Sequence, residues 1–231
     1  MQLEVYSDAI CPWCFIGKRR LDKALTPELG QGVAVSWRAY QLYPQIPTEG
    51  MDRDLFMQLR FGGKEKVRDG YSRIEQEGAS EGIAFNFRGI KRMPNTRDAH
   101  RLAVFAEAAG RQTELVEELF QLHFCEGEDV GDLDTLVEAS RRAGLGGELA
   151  RDWLQQSHAG LDRVLEELQF AAENGITGVP CFVIERAFGI PGAQPVEVLS
   201  RYIAKAKSQL ALIEGGAEAG PACDAAGGEN C

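Results

Sequence analysis

Cys11-Pro12-Trp13-Cys14 stands where one sequence pattern ends and another begins. Over residues 3–7, Leu3 and Val5 alternate with Glu4 and Tyr6 as in a short buried strand. Over residues 15–25, Ile16, Arg20, Leu21 and Leu25 form a helical stripe, with Lys18, Arg19, Asp22 and Lys23 on the wet side. Thr26-Pro27 stops that helix, and Val33, Val35 and Trp37 alternate as a second strand. The chain therefore opens β-α-β, the crossover that two parallel strands need. The two cysteines fall at the start of its helix, where backbone N–H groups are free and the helix end carries partial positive charge. A thiol at such an end ionises more easily, and the thiolate is the attacking species in disulfide exchange. In that reading Cys11, at the helix end, is the nucleophile and Cys14, one turn inside, is the resolving thiol. Pro12 suits a first helical position because it has no N–H to leave unpaired. Trp13 shields the pair and offers a face to a substrate. The competing reading is half of a zinc site, but such pairs come twice at short separation. Here the other pair, Cys223 and Cys231, is more than two hundred residues away.

The chain's 231 residues suffice for one large domain, or for a domain carrying a big insertion. A net charge of -10 repels nucleic-acid phosphates and anionic lipid surfaces, so neither nucleic acid nor membrane is an expected partner. No apolar run is long enough to predict a membrane-spanning helix. The opening residues lack a basic region, an apolar stretch and a small-residue cleavage site, so the expected compartment is the cytoplasm, where thiols stay reduced. Six cysteines are too few for a disulfide scaffold, which leaves redox or metal chemistry for the paired ones.

Past residue 45 the pattern turns helical for about a hundred residues. Apolar stripes appear at Leu55, Phe56 and Leu59, at Val67, Tyr71 and Ile74, and at Leu115, Val116, Leu119, Phe120 and His123. Asn95 or Thr96 is placed to cap a helix reaching Ala108. Further stripes lie at Leu133, Leu136 and Ala139, and at Leu149, Trp153 and Leu154. Leu161, Val164, Leu165 and Leu168 then lead a helix to Asn174-Gly175, Phe182-Val183-Ile184 reads as a buried strand, and Glu185-Arg186 turns it into a hairpin. A last helix runs over 195–213. The expected class is α/β, a split domain of residues 1–45 and 160–214 around an all-helical insertion of residues 46–159, with 215–231 a flexible, cysteine-bearing tail.

The strand, Cys-Pro-Trp-Cys, helix, strand, helical insertion, and Thr177-Gly178-Val179-Pro180 leading into Phe182-Val183-Ile184 together resemble the DsbA-like branch of the thioredoxin superfamily. Asn95-Thr96 with Ala99-His100-Arg101-Leu102, and Pro191-Gly192-Ala193-Gln194, resemble its FrnE-like subgroup, related to 2-hydroxychromene-2-carboxylate isomerases and kappa-class glutathione transferases. The resemblance covers roughly residues 3 to 210. It implies a thioredoxin-like fold with a large helical insertion, and a thiol–disulfide oxidoreductase acting on protein or small-thiol substrates. It implies that Pro180 is a cis-proline across from Cys11 and that Val179 pairs with an extended substrate. No resident cofactor or metal is implied; glutathione is the candidate co-substrate. Those isomerases and transferases generally carry serine at the position of Cys11 and bind glutathione, so a glutathione-dependent isomerase or transferase is one alternative. A thiolate metal-binding stress protein is the other.

The remaining candidates carry two readings each. Cys181 is a small buried hydrophobe or a third thiol beside the pair. Cys223 and Cys231 form a shuttle pair for Cys11 and Cys14, an inert staple, or free thiols. Cys125 and His100 read as structural, and His123 and His158 lack partners at ligand spacing. Asp8 reads first as a loop acid facing water and second as a proton acceptor for Cys14. Lys18, Arg19 and Arg20 are a wet helix face or a positive patch serving a thiolate or an anionic thiol.

Overall fold

The computed structural model describes residues 1–217. The chain runs through β1 (Gln2–Ser7), α1 (Pro12–Ala24), α2 (Pro27–Gly30) and β2 (Ala34–Ala39). It continues into β3 (Met51–Asp52), α3 (Arg53–Phe61), α4 (Arg68–Ser80), β4 (Arg92–Met93), α5 (Arg97–Ala108) and α6 (Gln112–Phe120). A π-helical turn over Gln121–Glu126 leads to α7 (Leu133–Arg142), α8 (Gly147–Gln155) and α9 (Leu161–Glu173). The chain then forms β5 (Cys181–Ile184), β6 (Phe188–Pro191) and α10 (Val196–Ala217). This is an α/β thioredoxin-like fold interrupted by a large helical segment.

The main sheet has the order β2-β1-β5-β6. β1 and β2 are parallel, pairing Val5 with Trp37, and β5 runs antiparallel to β1, pairing Val5 with Phe182 and Tyr6 with Cys181. Because strand side chains alternate, this register sorts the residues onto two faces. Leu3, Val5, Trp37, Phe182 and Ile184 share one apolar cluster with Phe15, Ile16 and Leu21 of α1 and Leu199 and Ile203 of α10. Tyr6, Cys181 and Val183 take the opposite face, against Ala171 and Phe170 of α9. That second face also carries a buried charge network. Arg38 reaches Glu4 at 2.9 Å, Glu107 at 2.8 Å and Glu167 at 3.2 Å, and Arg186 holds Glu4 from the hairpin turn at 3.0 Å. That turn places Glu185 and Arg186 at φ 50° and 54°, a region ordinarily left to glycine or asparagine. Arg186 is held there by Glu4 and by the Phe170 ring, 5.2 Å away.

The helical segment joins the sheet through aromatic and ionic contacts with α1. Phe15 stacks on Phe120 at 5.1 Å and meets Phe85 edge-on at 6.1 Å. Lys18 pairs with Asp22 at 2.7 Å and with Glu117 of α6 at 3.0 Å, and Arg19 also binds Glu117. Arg20 binds Glu77 of α4 and Glu81 just past its end, and donates to the Ala193 carbonyl at 2.7 Å. Lys18 is only 5% exposed, so the wet-face expectation fails for it: α6 covers that side of the helix and supplies the acid.

α1 also sits very close to β5. A Cβ on residue 17 would lie 2.9 Å from Pro180 Cγ and 3.3 Å from Phe182 Cζ, so glycine is what lets the helix close on the loop. Replacing glycine by alanine inside a helix ordinarily stabilises by about 1 kcal/mol. Here Gly17→Ala should destabilise, by roughly 1–3 kcal/mol of overpacking, measured as a lower urea midpoint at unchanged slope.

His123 adds a pH dependence. It is buried, its Nδ1 is 3.1 Å from the Glu128 carbonyl oxygen, and burial pushes its pKa down to about 4. Below about pH 6.5 the unfolded chain takes up a proton on this ring that the folded chain refuses until about pH 4. Its contribution to stability is therefore complete above that window and is lost as pH falls through it, by about 3 kcal/mol. His123→Gln should flatten that acid-side loss in urea titrations between pH 7.5 and 4.5; an unchanged slope would mean that other groups govern it.

Candidate active site

Cys11 is the N-cap residue of α1 in extended conformation, with no side chain capping the helix end and Pro12 in the first turn. Its N–H donates to the Asp8 carbonyl at 3.0 Å, and its own carbonyl accepts from the Cys14 N–H at 2.9 Å. The pair thus spans the first turn. The Cys11 thiol lies 3.5 Å from the Val179 carbonyl oxygen, and the Val179–Pro180 peptide is cis. Residues 168 positions apart in sequence therefore meet at one point. Trp13 is half-buried against the same apolar cluster as Cys11, Cys14 and Val179.

Cys11 is 4% exposed and Cys14 fully buried, and both are free thiols in this structure. Burial pushes the Cys14 thiol well up, and the hydrogen bond and charge of Cys11 push it further; Ser7 and the Asp8 backbone pull the other way. The inner thiol therefore holds its proton until something removes it.

Asp8 does not face water. It is fully buried, because the loop leading into β3 folds over it. Its Oδ2 accepts the Leu42 N–H at 2.7 Å, its Oδ1 accepts the Ile10 N–H at 3.5 Å, and the Thr96 side chain hydrogen-bonds it as well. Thr96 is thereby diverted from capping α5; Asn95 Oδ1 accepts the Arg97 N–H instead, at 3.0 Å. Burial raises the proton affinity of Asp8, and the nearby His100 opposes that. His100 Nε2 lies 3.8 Å from Asp8 Oδ1 and 2.9 Å from the Tyr40 carbonyl oxygen. The resemblance segment around His100 is thus packed behind the cysteine pair.

Cys181 follows Pro180 directly yet belongs to the opposite sheet face, with Tyr6 and Val183. Strand alternation turns it away from Cys11, so it reads as a buried small residue. Cys125 is half-buried at the edge of the main apolar cluster, with burial raising its pKa. Lys18, Arg19 and Arg20 are all engaged by carboxylates and clamp α1 to the helical segment. Cys223 and Cys231 lie outside the described residues. Among the described residues, no three His, Cys, Asp or Glu side chains converge as a metal cage, and no helix is long and apolar enough to cross a membrane.

Neither Gly17 nor Tyr43 stands out as a site residue in the sequence. Gly17 carries a signal, since an isolated glycine inside a helical pattern marks a close approach. Tyr43 carries none: the loop between β2 and β3 brings it to the apolar cluster that holds Ile10, and no motif surrounds it.

Comparison with known proteins fits this geometry. A family model described as a DSBA-like thioredoxin domain matches residues 2–204. The uncharacterized protein YwbO of Bacillus subtilis is 28% identical over 205 residues, covering 88% of this chain and 96% of that protein. A solved structure described as a probable DsbA oxidoreductase from Streptomyces coelicolor is 34% identical, with a TM-score of 0.82 over 90% of this chain and 91% of that one. The cytosolic disulfide reductase DsbM from Pseudomonas aeruginosa, solved with GSH, aligns at a TM-score of 0.61 over 94% of this chain and 100% of that one, at 19% identity. A 2-hydroxychromene-2-carboxylate isomerase aligns at 0.63 over 96% and 100%, at 17% identity. At those identities the last two likenesses concern the fold alone. With a matching model across nearly the whole described chain and a strand–CxxC–helix opposite a cis-proline, this chain belongs to the DsbA-like thioredoxin family.

Proposed function

We propose that this protein exchanges disulfides with protein or small-thiol substrates through Cys11 and Cys14, in the cytoplasm. The observation that carries the reading is the Cys11 thiol at an uncapped helix N-terminus, 3.5 Å from the carbonyl of the residue before a cis-proline. An extended substrate strand has backbone partners at Val179 there, and its sulfur has Cys11 in front of it. The Cys11 thiolate attacks one sulfur of a substrate disulfide, forming a mixed disulfide and releasing the other sulfur as thiolate. Cys14 gives up its proton and attacks the Cys11 sulfur, so the second substrate thiolate leaves and Cys11–Cys14 becomes the disulfide. Two electrons pass from the pair to the substrate; run backwards, the same steps oxidise a dithiol. Because Cys14 is buried and resists ionisation, it needs a proton acceptor. We assign that part to Asp8, whose buried carboxylate belongs to the same loop and has a raised proton affinity. Glutathione is the small-thiol co-substrate of this reading; the fold neighbour DsbM is itself solved with GSH.

In insulin reduction with a dithiol reductant, Cys11→Ser should lower the rate by at least about a thousandfold, as loss of a nucleophile does. Cys14→Ser should accumulate a mixed disulfide on Cys11, read by mass spectrometry. Turnover that survives Cys14→Ser and requires glutathione would replace this reading with the isomerase or transferase alternative. Failure of the pair to form a disulfide at any redox poise would sink it outright.

A further inference from the structure

This chain has ten more acidic than basic charges, and most of its guanidinium groups hold a carboxylate. Arg19, Arg20, Arg38, Arg101, Arg142 and Arg186 all do. Arg60, on the last turn of α3, is exposed and pairs with no carboxylate among the described residues. It is nevertheless held in place by stacking. Its Cζ lies 5.4 Å from the Phe61 ring centroid and 6.0 Å from that of Tyr43. Phe56 ties the two rings together, edge-on to Tyr43 at 4.8 Å and to Phe61 at 6.1 Å. Stacking of this kind orients a guanidinium while leaving its N–H fork free.

The aromatic shelf belongs to the apolar cluster that reaches the residue before Cys11. Phe56 and Ile10, the residue before Cys11, belong to one apolar cluster, and Tyr43 packs against it. The loop that carries Tyr43 is pinned through the Leu42 N–H to Asp8 at 2.7 Å. The Tyr43 phenol is pushed up by burial, pulled down by Arg60 and pushed up by Cys11, so it is near enough to feel both charges. Arg60 is thus a cation with no carboxylate partner among the described residues, and it shares the Tyr43 ring with the charge of Cys11. The Val179 carbonyl lies 3.5 Å from the Cys11 sulfur.

We propose that Arg60, seated on Tyr43 and Phe61, binds a carboxylate carried close to the reacting sulfur, and so selects acidic disulfides. The inference rests on the exchange reading above and adds its substrate class. An oriented, unpaired guanidinium gains a charge-assisted pair with such a ligand and nothing with a neutral one. Glutathione disulfide and a peptide with an acidic residue beside its cysteine offer the same group.

The test uses the full chain with Cys223 and Cys231 replaced by Ser, reduced beforehand and mixed with a disulfide, and follows loss of free thiol. Four disulfides are compared: oxidised glutathione, hydroxyethyl disulfide, and a cysteine peptide with Glu or with Gln next to the cysteine. Arg60→Gln should lower the preference for oxidised glutathione over hydroxyethyl disulfide, and for the Glu peptide over the Gln peptide, by roughly tenfold or more. Arg60→Lys, which keeps charge but loses the planar fork, should fall between. Selective loss with glutathione alone assigns the small thiol, and with the Glu peptide alone an acidic protein segment. Preferences unchanged by Arg60→Gln overturn the inference. Wild-type protein that reacts with none of the four overturns the exchange reading instead, since hydroxyethyl disulfide makes no demand on Arg60.

Discussion

The approach of α1 to the loop before β5 is the contact on which the rest of the site depends. It needs the absence of one methyl group at residue 17, where a Cβ would stand 2.9 Å from Pro180. With that space free, the helix that presents Cys11 lies against the strand that begins after Pro180, and the Cys11 thiol meets the Val179 carbonyl. The sheet register completes the arrangement. Pairing Val5 with Phe182 and Tyr6 with Cys181 sends alternate residues to opposite faces, so Phe182 packs under α1 while Cys181 is turned away. A thiol adjacent in sequence to the site is thereby kept out of its chemistry.

Charge does for the helical segment what close packing does for the helix and loop. Lys18, Arg19 and Arg20 are consecutive on α1, and each finds an acid on α4 or α6, with Lys18 also holding Asp22. A basic run beside a thiol pair looks from sequence like a device for holding anions. Its geometry makes it a clamp, because its charge is already spent on Glu77, Glu81 and Glu117. Arg60, which no pattern in the sequence singles out, holds no carboxylate among the described residues and lies over the Tyr43 and Phe61 rings instead. On the far face, Arg38 does similar tethering between β1, α5 and α9. Removing it would strand buried carboxylates, which costs far more than an intact pair contributes.

Much of this fold was legible in the sequence because it rests on local rules. The strand–helix–strand opening and the helix ending at Asn174-Gly175 follow from periodicity and turn chemistry, the hairpin through Glu185-Arg186 only from the apolar runs on either side of it, and the structure has each of them. The cysteine pair announced itself through its place at a helix start. What stayed hidden depends on contacts between distant residues. Asp8 looks like a loop acid until Leu42 and Thr96 close over it. Thr96 looks like a cap until its side chain is taken by that same acid. Lys18 looks wet until α6 arrives. In each case a polar side chain takes a partner more than thirty positions away, and one-dimensional patterns do not record such partners.

The hairpin turn that carries Glu185 and Arg186 has a consequence for how the molecule comes into being. Two non-glycine residues with positive φ give the β5–β6 ribbon no local reason to form early. What holds the turn is Glu4, 182 positions earlier in the sequence. Cys11 is made 168 residues before the Val179 carbonyl that it faces. A nascent chain therefore carries the cysteine pair for that stretch of synthesis without the cis-proline loop beside it. Assembly of the site waits on synthesis through β5, and a copy cut short before Val179 has thiols with no loop to face them.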